Sequence, residues 1–158
     1  MRRHFGRLLI AMSLGLAPPA LASPALAEDA APAAPDGKIV LELNGAADTE
    51  DGGCKLTLVA TNRLDKPIRR AAWQVAIFDR AGAVQSLPIL DFGGMIAGKT
   101  RVGLFPLPDR PCAEIGRIVV NDVAECTADD GTEKGADLRD ICLGGLATQT
   151  RTDIDFGL

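Results

Sequence analysis

The chain has 158 residues, of which 47% are hydrophobic and 24% charged, with a formal net charge of −4 and a single histidine, His4. The first 27 positions hold three of the 17 basic residues and none of the 21 acidic ones, so residues 28–158 carry 14 basic and 21 acidic groups, a net charge of −7. This balance gives no electrostatic basis for binding nucleic acid or anionic lipid.

Residues 1–27 have the pattern of a cleaved export signal. Arginines at positions 2, 3 and 7 precede an apolar run at 8–17, and Ala25-Leu26-Ala27 supplies the small-x-small pattern of a cleavage site. The apolar run is shorter than the roughly 20 residues of a membrane span, and no later segment reaches that length. The sequence predicts export to the periplasm without a membrane span. Arg2-Arg3-His4-Phe5 leaves both the general secretory and the twin-arginine route open.

Residues 28–37 are rich in alanine and proline and lack periodicity, which predicts a disordered linker. Residues 38–158 then form a single predicted domain, and their apolar alternation is that of short strands separated by turns. The predicted strand segments are 39–43, 54–60, 73–77, 84–92, 100–105, 115–123 and, as a seventh, 148–156. Only 136–142 has a helical character. Six or seven strands of this kind predict an all-β fold, an antiparallel immunoglobulin-like β-sandwich.

Individual residues within these segments sharpen the prediction. Trp73, Val75 and Ile77 share one face, which is typical of the inner face of a sandwich. Pro88 interrupts the segment 84–92 because proline lacks a main-chain donor. For the same reason Pro106 ends the segment 100–105.

The central stretch, roughly 54–106, contains a set of strand-end and turn motifs: Thr61-Asn62, Pro67, Val75-Ala76-Ile77-Phe78-Asp79, Gly82-Ala83-Val84 and Ala97-Gly98-Lys99-Thr100. In these motifs it resembles the FxLYD and related bacterial immunoglobulin-like modules. The resemblance implies a β-sandwich and implies no catalytic residues, because those modules share none. The chain as a whole also resembles small exported proteins of alphaproteobacteria.

Four cysteines, Cys54, Cys112, Cys126 and Cys142, predict two disulfides in an oxidising compartment. Their gaps of 58, 14 and 16 residues do not match a paired-cysteine zinc site or a redox CxxC. A bridge between Cys112 and Cys126 is excluded because the strand 115–123 holds them apart. Strand alternation favours Cys54–Cys112 with Cys126–Cys142.

Motifs for catalysis are missing from the sequence, since removal of His4 with the signal leaves no histidine and no nucleophile or phosphate-loop pattern occurs. We therefore predict a non-enzymatic protein with no cofactor and no metal. Two acidic clusters, at 48–51 and 129–140, keep a Ca²⁺-binding or small-ligand role as the alternative, with a carboxylate hydrolase third. Solvated acidic loops are the simpler interpretation.

The predicted role is that of a binding or adaptor protein whose partner is another envelope protein; the oligomeric state stays open. The candidate partner surface consists of Arg69, Arg70, Arg101 and Trp73, although a lone Trp on the inward face of a central strand is usually the core anchor of a sandwich. An exposed sheet edge is the expected contact element, formed by the Pro88-broken segment or by residues 148–156.

Overall fold

A computed structural model describes residues 37–108 and 110–158; the predicted signal and the predicted linker up to residue 36 lie outside the described residues. The strands are β1 (Ile39–Asp48), β2 (Cys54–Asn62), β3 (Ile68–Asp79), β4 (Val84–Ser86), β5 (Ile89–Met95), β6 (Thr100–Leu107), β7 (Ile115–Ala128), β8 (Leu146–Thr150) and β9 (Asp155–Gly157). A one-turn 3-10 helix covers Cys112–Glu114, and the short helix α1 covers Arg139–Gly144. None of the helices in the described part is long and apolar enough to cross a membrane.

The strands form two sheets, which confirms the predicted all-β sandwich. The first sheet has the order β6-β2-β1-β8, and the second has the order β4-β3-β7-β9, with β5 also paired to β3. Two details of the prediction are wrong. The described residues contain nine strands, and the sheets are mixed, because β8 runs parallel to β1 and β9 runs parallel to β7.

Both extra strands arise where a predicted segment splits. The segment 84–92 divides at Pro88 into β4 and β5, as its missing N–H predicts, and the Pro88 carbonyl accepts a hydrogen bond from the Val75 N–H at 3.0 Å. The segment 148–156 divides at a turn in which the Thr150 hydroxyl bonds the main chain of Thr152 and of Ile154. This turn sends β8 to the first sheet and β9 to the second.

The core lies between the sheets and contains the alternating side chains that the sequence predicts. The inward sets are Ile39, Leu41 and Leu43 on β1, Cys54, Leu56 and Leu58 on β2, and Trp73, Val75 and Ile77 on β3, all at most 1% exposed. Trp73 occupies the centre. Its Nε1 donates to the carbonyl oxygen of Cys142 at 3.0 Å, and its ring meets that of Phe92 edge-on with centroids 5.9 Å apart.

Both predicted disulfides are present, and the described residues contain no free cysteine. Cys54–Cys112, with a Cα–Cα distance of 4.8 Å, joins the start of β2 to the 3-10 helix that precedes β7. It therefore links the two sheets at one end. Cys126–Cys142, at 6.4 Å, fixes α1 to β7. Cys126 lies inside β7 rather than after it, because that strand continues five residues beyond its predicted end.

Candidate partner-binding edge

The exposed apolar side chains are concentrated on one side of the sandwich. Within the described residues, six of the eight large apolar side chains that stand exposed belong to β4, β5, β6 or the turns between them, with exposures of 51–69%. They are Val84, Leu87, Ile89, Ile96, Val102 and Leu104; Leu143 and Leu158 lie elsewhere. We call this side, residues 84–107, the open edge. Here β6 ends the first sheet, while β4 and β5 end the second.

Strand β6 presents an unpaired main-chain edge. It is antiparallel to β2 on one side, and no described strand pairs with its other side. The carbonyl oxygen of Lys99 accepts from the Asn62 N–H at 3.0 Å, so odd-numbered residues turn their main-chain groups towards β2. Those of Val102 and Leu104 therefore point away from the sheet, since the direction alternates along a strand. Pro106 also faces away from β2, and because proline has no N–H, it leaves no donor unpaired on this edge.

The inward side of this edge has an aromatic floor. Phe105 is only partly buried, and its ring meets Phe92 edge-on with centroids 5.2 Å apart, which continues the row that begins at Trp73. Gly103 makes room for this ring: a Cβ at position 103 would lie 2.5 Å from Phe105 Cε2. A side chain here would displace the ring, so the glycine keeps the floor open.

A hollow lies at each end of β6; two basic residues line the smaller hollow and one lines the larger. The smaller hollow, about 100 Å³, is lined by Gly94, Met95, Ile96, Lys99, Thr100 and Arg101. The larger hollow, about 340 Å³, is lined by Ser86, Leu87, Pro88, Pro106, Leu107, Pro108 and Arg110. Lys55 adds a further cation beside Pro106, its partner across the β2–β6 ladder. The edge thus has apolar side chains in the middle, Lys99 and Arg101 at one end, and Arg110 and Lys55 at the other.

The structure does not bring the four candidate surface residues together. Trp73 has no exposed area, so the prediction that it lies on a partner surface is wrong and the core interpretation holds. Arg69 donates to the carbonyl oxygens of Thr132 and Glu133. Arg101 alone lies on the open edge, where its Nη1 donates to the Gly94 carbonyl at 3.2 Å.

Arg70 is held on the outer face of the second sheet. It forms an ion pair of 2.6 Å with Asp91 on β5 and one of 3.4 Å with Glu125 on β7. The hydrogen bond with Asp91, together with the charges of both carboxylates, raises the pKa of Arg70. The same hydrogen bond, with one from the Gly93 N–H, lowers the pKa of Asp91. Arg70 therefore ties three strands together and is already engaged.

The acidic loops use their carboxylates as internal hydrogen-bond acceptors. Asp51 accepts from the Thr49 hydroxyl at 2.5 Å, which lowers its pKa. Asp130 accepts from the hydroxyl and the N–H of Thr132 and from the Ala136 N–H, and the bonds with Thr132 are the main cause of its lowered pKa. Across residues 37–108 and 110–158, no three acidic, histidine or cysteine side chains are grouped to hold a metal ion.

The opposite edge of the first sheet, β8, carries a polar cluster instead of an apolar one. Glu42 is buried beside it and accepts hydrogen bonds from Asn44 at 2.7 Å, Arg151 at 2.8 Å and Gln149. Burial raises the pKa of Glu42, but the hydrogen bonds from these neighbours and the Arg151 charge outweigh it, so the net shift is downward. The predicted contact segment 148–156 does lie at sheet edges, because β8 pairs with β1 and ends the first sheet while β9 pairs with β7 and ends the second. Its Ile154, however, lies in the core.

The fold and the edge define a two-sheet β-sandwich braced by two disulfides, with exposed apolar side chains on the unpaired edge strand β6. The chain matches no protein-family model and no curated protein. Among solved structures, it is similar to IrmA from Escherichia coli with a TM-score of 0.51 and 9% sequence identity, over 71% of this chain and 91% of that one. At this identity the likeness supports the fold alone. The resemblance to FxLYD modules stays a prediction.

Sequence reasoning missed the central residues of the open edge. The alternation of Val102 and Leu104 indicates that they share a face, and they do, but the face is solvent-exposed. A signal was present in Pro106, because a proline inside a strand pattern is typical of an edge strand.

Proposed function

We propose that this protein is exported to the periplasm and acts there as a non-enzymatic binding or adaptor protein, with the open edge as its docking surface for another envelope protein. The observation that carries the proposal is the grouping of six exposed apolar side chains around an unpaired strand. Apolar patches and unpaired strand edges both favour association, because each is stabilised when a partner covers it.

Three carboxylates, those of Asp51, Asp91 and Asp130, are engaged as hydrogen-bond acceptors within the fold. In catalysis by paired carboxylates, one group acts as acid and the other as base, and the acid has a raised pKa. Here the pKa values of Asp51, Asp91 and Asp130 are all lowered by hydrogen bonds within the fold. These groups act as anchors for loops and strands.

Two disulfides support the proposed compartment, because such bridges form and persist in oxidising environments. The predicted export signal is the second support. Fractionation of the native host, with the protein probed in periplasmic and cytoplasmic fractions, tests this part of the proposal. Recovery of the full-length, reduced chain from the cytoplasm would contradict it.

The docking surface is tested by site-specific photo-crosslinking in the host. A photoreactive phenylalanine analogue replaces Leu104 in one strain and Leu158 in another, because both side chains are about 60% exposed and only the first lies on the open edge. We expect one partner to crosslink from position 104, to be absent from position 158, and to bind the purified protein. Equal crosslinking from both positions would show that the open edge has no special role.

A further inference from the structure

We infer that the open edge recognises an extended peptide segment in which three apolar residues are flanked on both sides by carboxylates, and that this segment adds to β6 as an antiparallel strand. The inference rests on the proposed function and names the chemistry of the partner. Each part of that chemistry follows from a different feature of the edge: its main chain, its side chains and its charges.

The main chain of β6 sets the register of the added strand. Val102 and Leu104 direct their N–H and C=O groups to the free side, while Gly103 between them is bonded to β2. An antiparallel partner strand pairs through alternate residues. Two residues of the peptide, separated by one, therefore exchange hydrogen bonds with Val102 and Leu104. Pro106 ends the ladder, since it has no N–H to offer.

The exposed apolar side chains of the open edge favour apolar residues at the peptide positions that pair with Val102 and Leu104. Residues opposite Val102 and Leu104 lie beside two side chains about 60% exposed, on the outer face of the sheet. The intervening peptide residue turns to the inner side, opposite Gly103. There the strand has no side chain, and the partly buried ring of Phe105 forms the floor. An aromatic residue fits this position because edge-on ring contacts continue the existing row.

The basic residues at the ends of β6 favour acidic residues on both sides of the apolar residues of the peptide. Lys99 and Arg101 line the hollow at one end, and Arg110 lines the hollow at the other, with Lys55 nearby. Residues 100–107 themselves include no acidic residue. The two ends are roughly 25 Å apart at the rise of a strand, which is the span of about seven or eight extended residues. Acidic residues at both ends of a segment of this length face cations, and opposite charges across a strand pair are favourable.

The test uses a synthetic probe, acetyl-Asp-Glu-Val-Phe-Val-Glu-Asp-amide carrying a fluorophore, and the mature protein. Binding is followed by fluorescence anisotropy at low and at physiological salt. We expect this probe to bind at least tenfold more tightly than acetyl-Lys-Lys-Val-Phe-Val-Lys-Lys-amide. The double variant Lys99→Glu with Arg101→Glu should lose most of this preference.

Main-chain pairing is tested from both sides of the contact. Leu104→Pro removes one outward N–H and leaves the bonds to β2 in place, so it should weaken probe binding at least tenfold relative to Leu104→Ala. N-methylation of both valines of the probe should abolish binding by the wild type, whereas N-methylation of the phenylalanine, whose N–H faces away from β6, should be tolerated. The methylated probes keep the test decisive even where a protein variant fails to fold.

The outcomes separate this inference from the proposed function. Equal binding of the acidic and basic probes, binding that tolerates methylated valines, or no binding of either probe overturns the inference. Loss of the native partner in Leu104→Pro, without discrimination between the probes, overturns the inferred chemistry and leaves the docking surface standing. Retention of the native partner in Leu104→Pro, with a normal melting temperature, removes the pairing mode on which the inference depends.

Discussion

The acidic loop at 129–138, which follows β7, packs against that strand, and a pair of glycine substitutions tests this packing directly. Gly131 and Gly135 both adopt positive φ, at +81° and +69°, so alanine at either position incurs the cost of a left-handed conformation, about 1–2 kcal/mol. Their surroundings differ. A Cβ on Gly131 would meet nothing within 4 Å, whereas a Cβ on Gly135 would overlap the carbonyl oxygen of Ala128.

The difference between the two variants measures how closely the loop packs on β7. To admit the Cβ of Gly135→Ala, the loop must move away from β7, which breaks the 2.8 Å bond from the Ala128 N–H to the Ala136 carbonyl and strains the 2.9 Å bond from the Leu138 N–H to Cys126. Each such bond has a net value of about 1 kcal/mol. We expect Gly131→Ala to lower the free energy of unfolding by about 1 kcal/mol and Gly135→Ala by about 3 kcal/mol.

Urea denaturation followed by Trp73 fluorescence gives both values, because Trp73 is the only tryptophan and is fully buried. The slope of the free energy against urea should be the same for the wild type and both variants, which shows that the folded states are comparable. An equal loss in the two variants, within about 0.5 kcal/mol, would refute the packed arrangement. It would also revive the interpretation of this segment as a free, solvated acidic loop.

Two further predictions concern charge and covalent cross-links. The pKa of Glu42 is lowered in the folded state, so its ionised form stabilises the fold above about pH 4.3, the pKa of an exposed glutamate, and this stabilisation is lost as the pH falls through the folded pKa. Glu42→Gln should therefore lower the free energy of unfolding by about 1–2 kcal/mol at pH 7 and by much less at pH 3. The same loss at both pH values in urea unfolding would contradict this. In the loop-closure relation the separations of 58 and 16 residues correspond to about 4 and 3 kcal/mol. Replacing Cys54 and Cys112 by serine should therefore destabilise the protein more than replacing Cys126 and Cys142, and the reverse order would show that native-state contacts dominate.

Alternation along a strand was the most informative sequence signal, because it depends only on local geometry. The inward sets on β1, β2 and β3 follow from it. The Cys54–Cys112 pairing also followed, since placing these two cysteines at the same end of the fold needs only strand direction and length. The helical turn near 136–142 has its counterpart in α1.

Features that depend on distant neighbours did not follow from the sequence. The turn at 150–154 moves the chain between sheets, although the alternation of Thr150, Thr152, Ile154 and Phe156 predicts one continuous strand through it. Arg69 looks like a free surface arginine until the loop at 129–138 folds back to meet it, about 64 residues further along the chain. For Val102 and Leu104, periodicity identifies a shared face but cannot tell whether another layer covers it.

Binding and stability are separable at the open edge, which makes its function unusually accessible to mutation. Val102 and Leu104 lose little buried surface on substitution, so lysine at either position should change the free energy of unfolding by about 0.5 kcal/mol or less. A lysine there also protects an edge strand against pairing. By contrast, Phe92→Ala beneath them removes a ring that is 2% exposed and should cost about 3–5 kcal/mol. Loss of the partner in Leu104→Lys at an unchanged melting temperature therefore reports on docking, whereas the same loss in Phe92→Ala reports on folding.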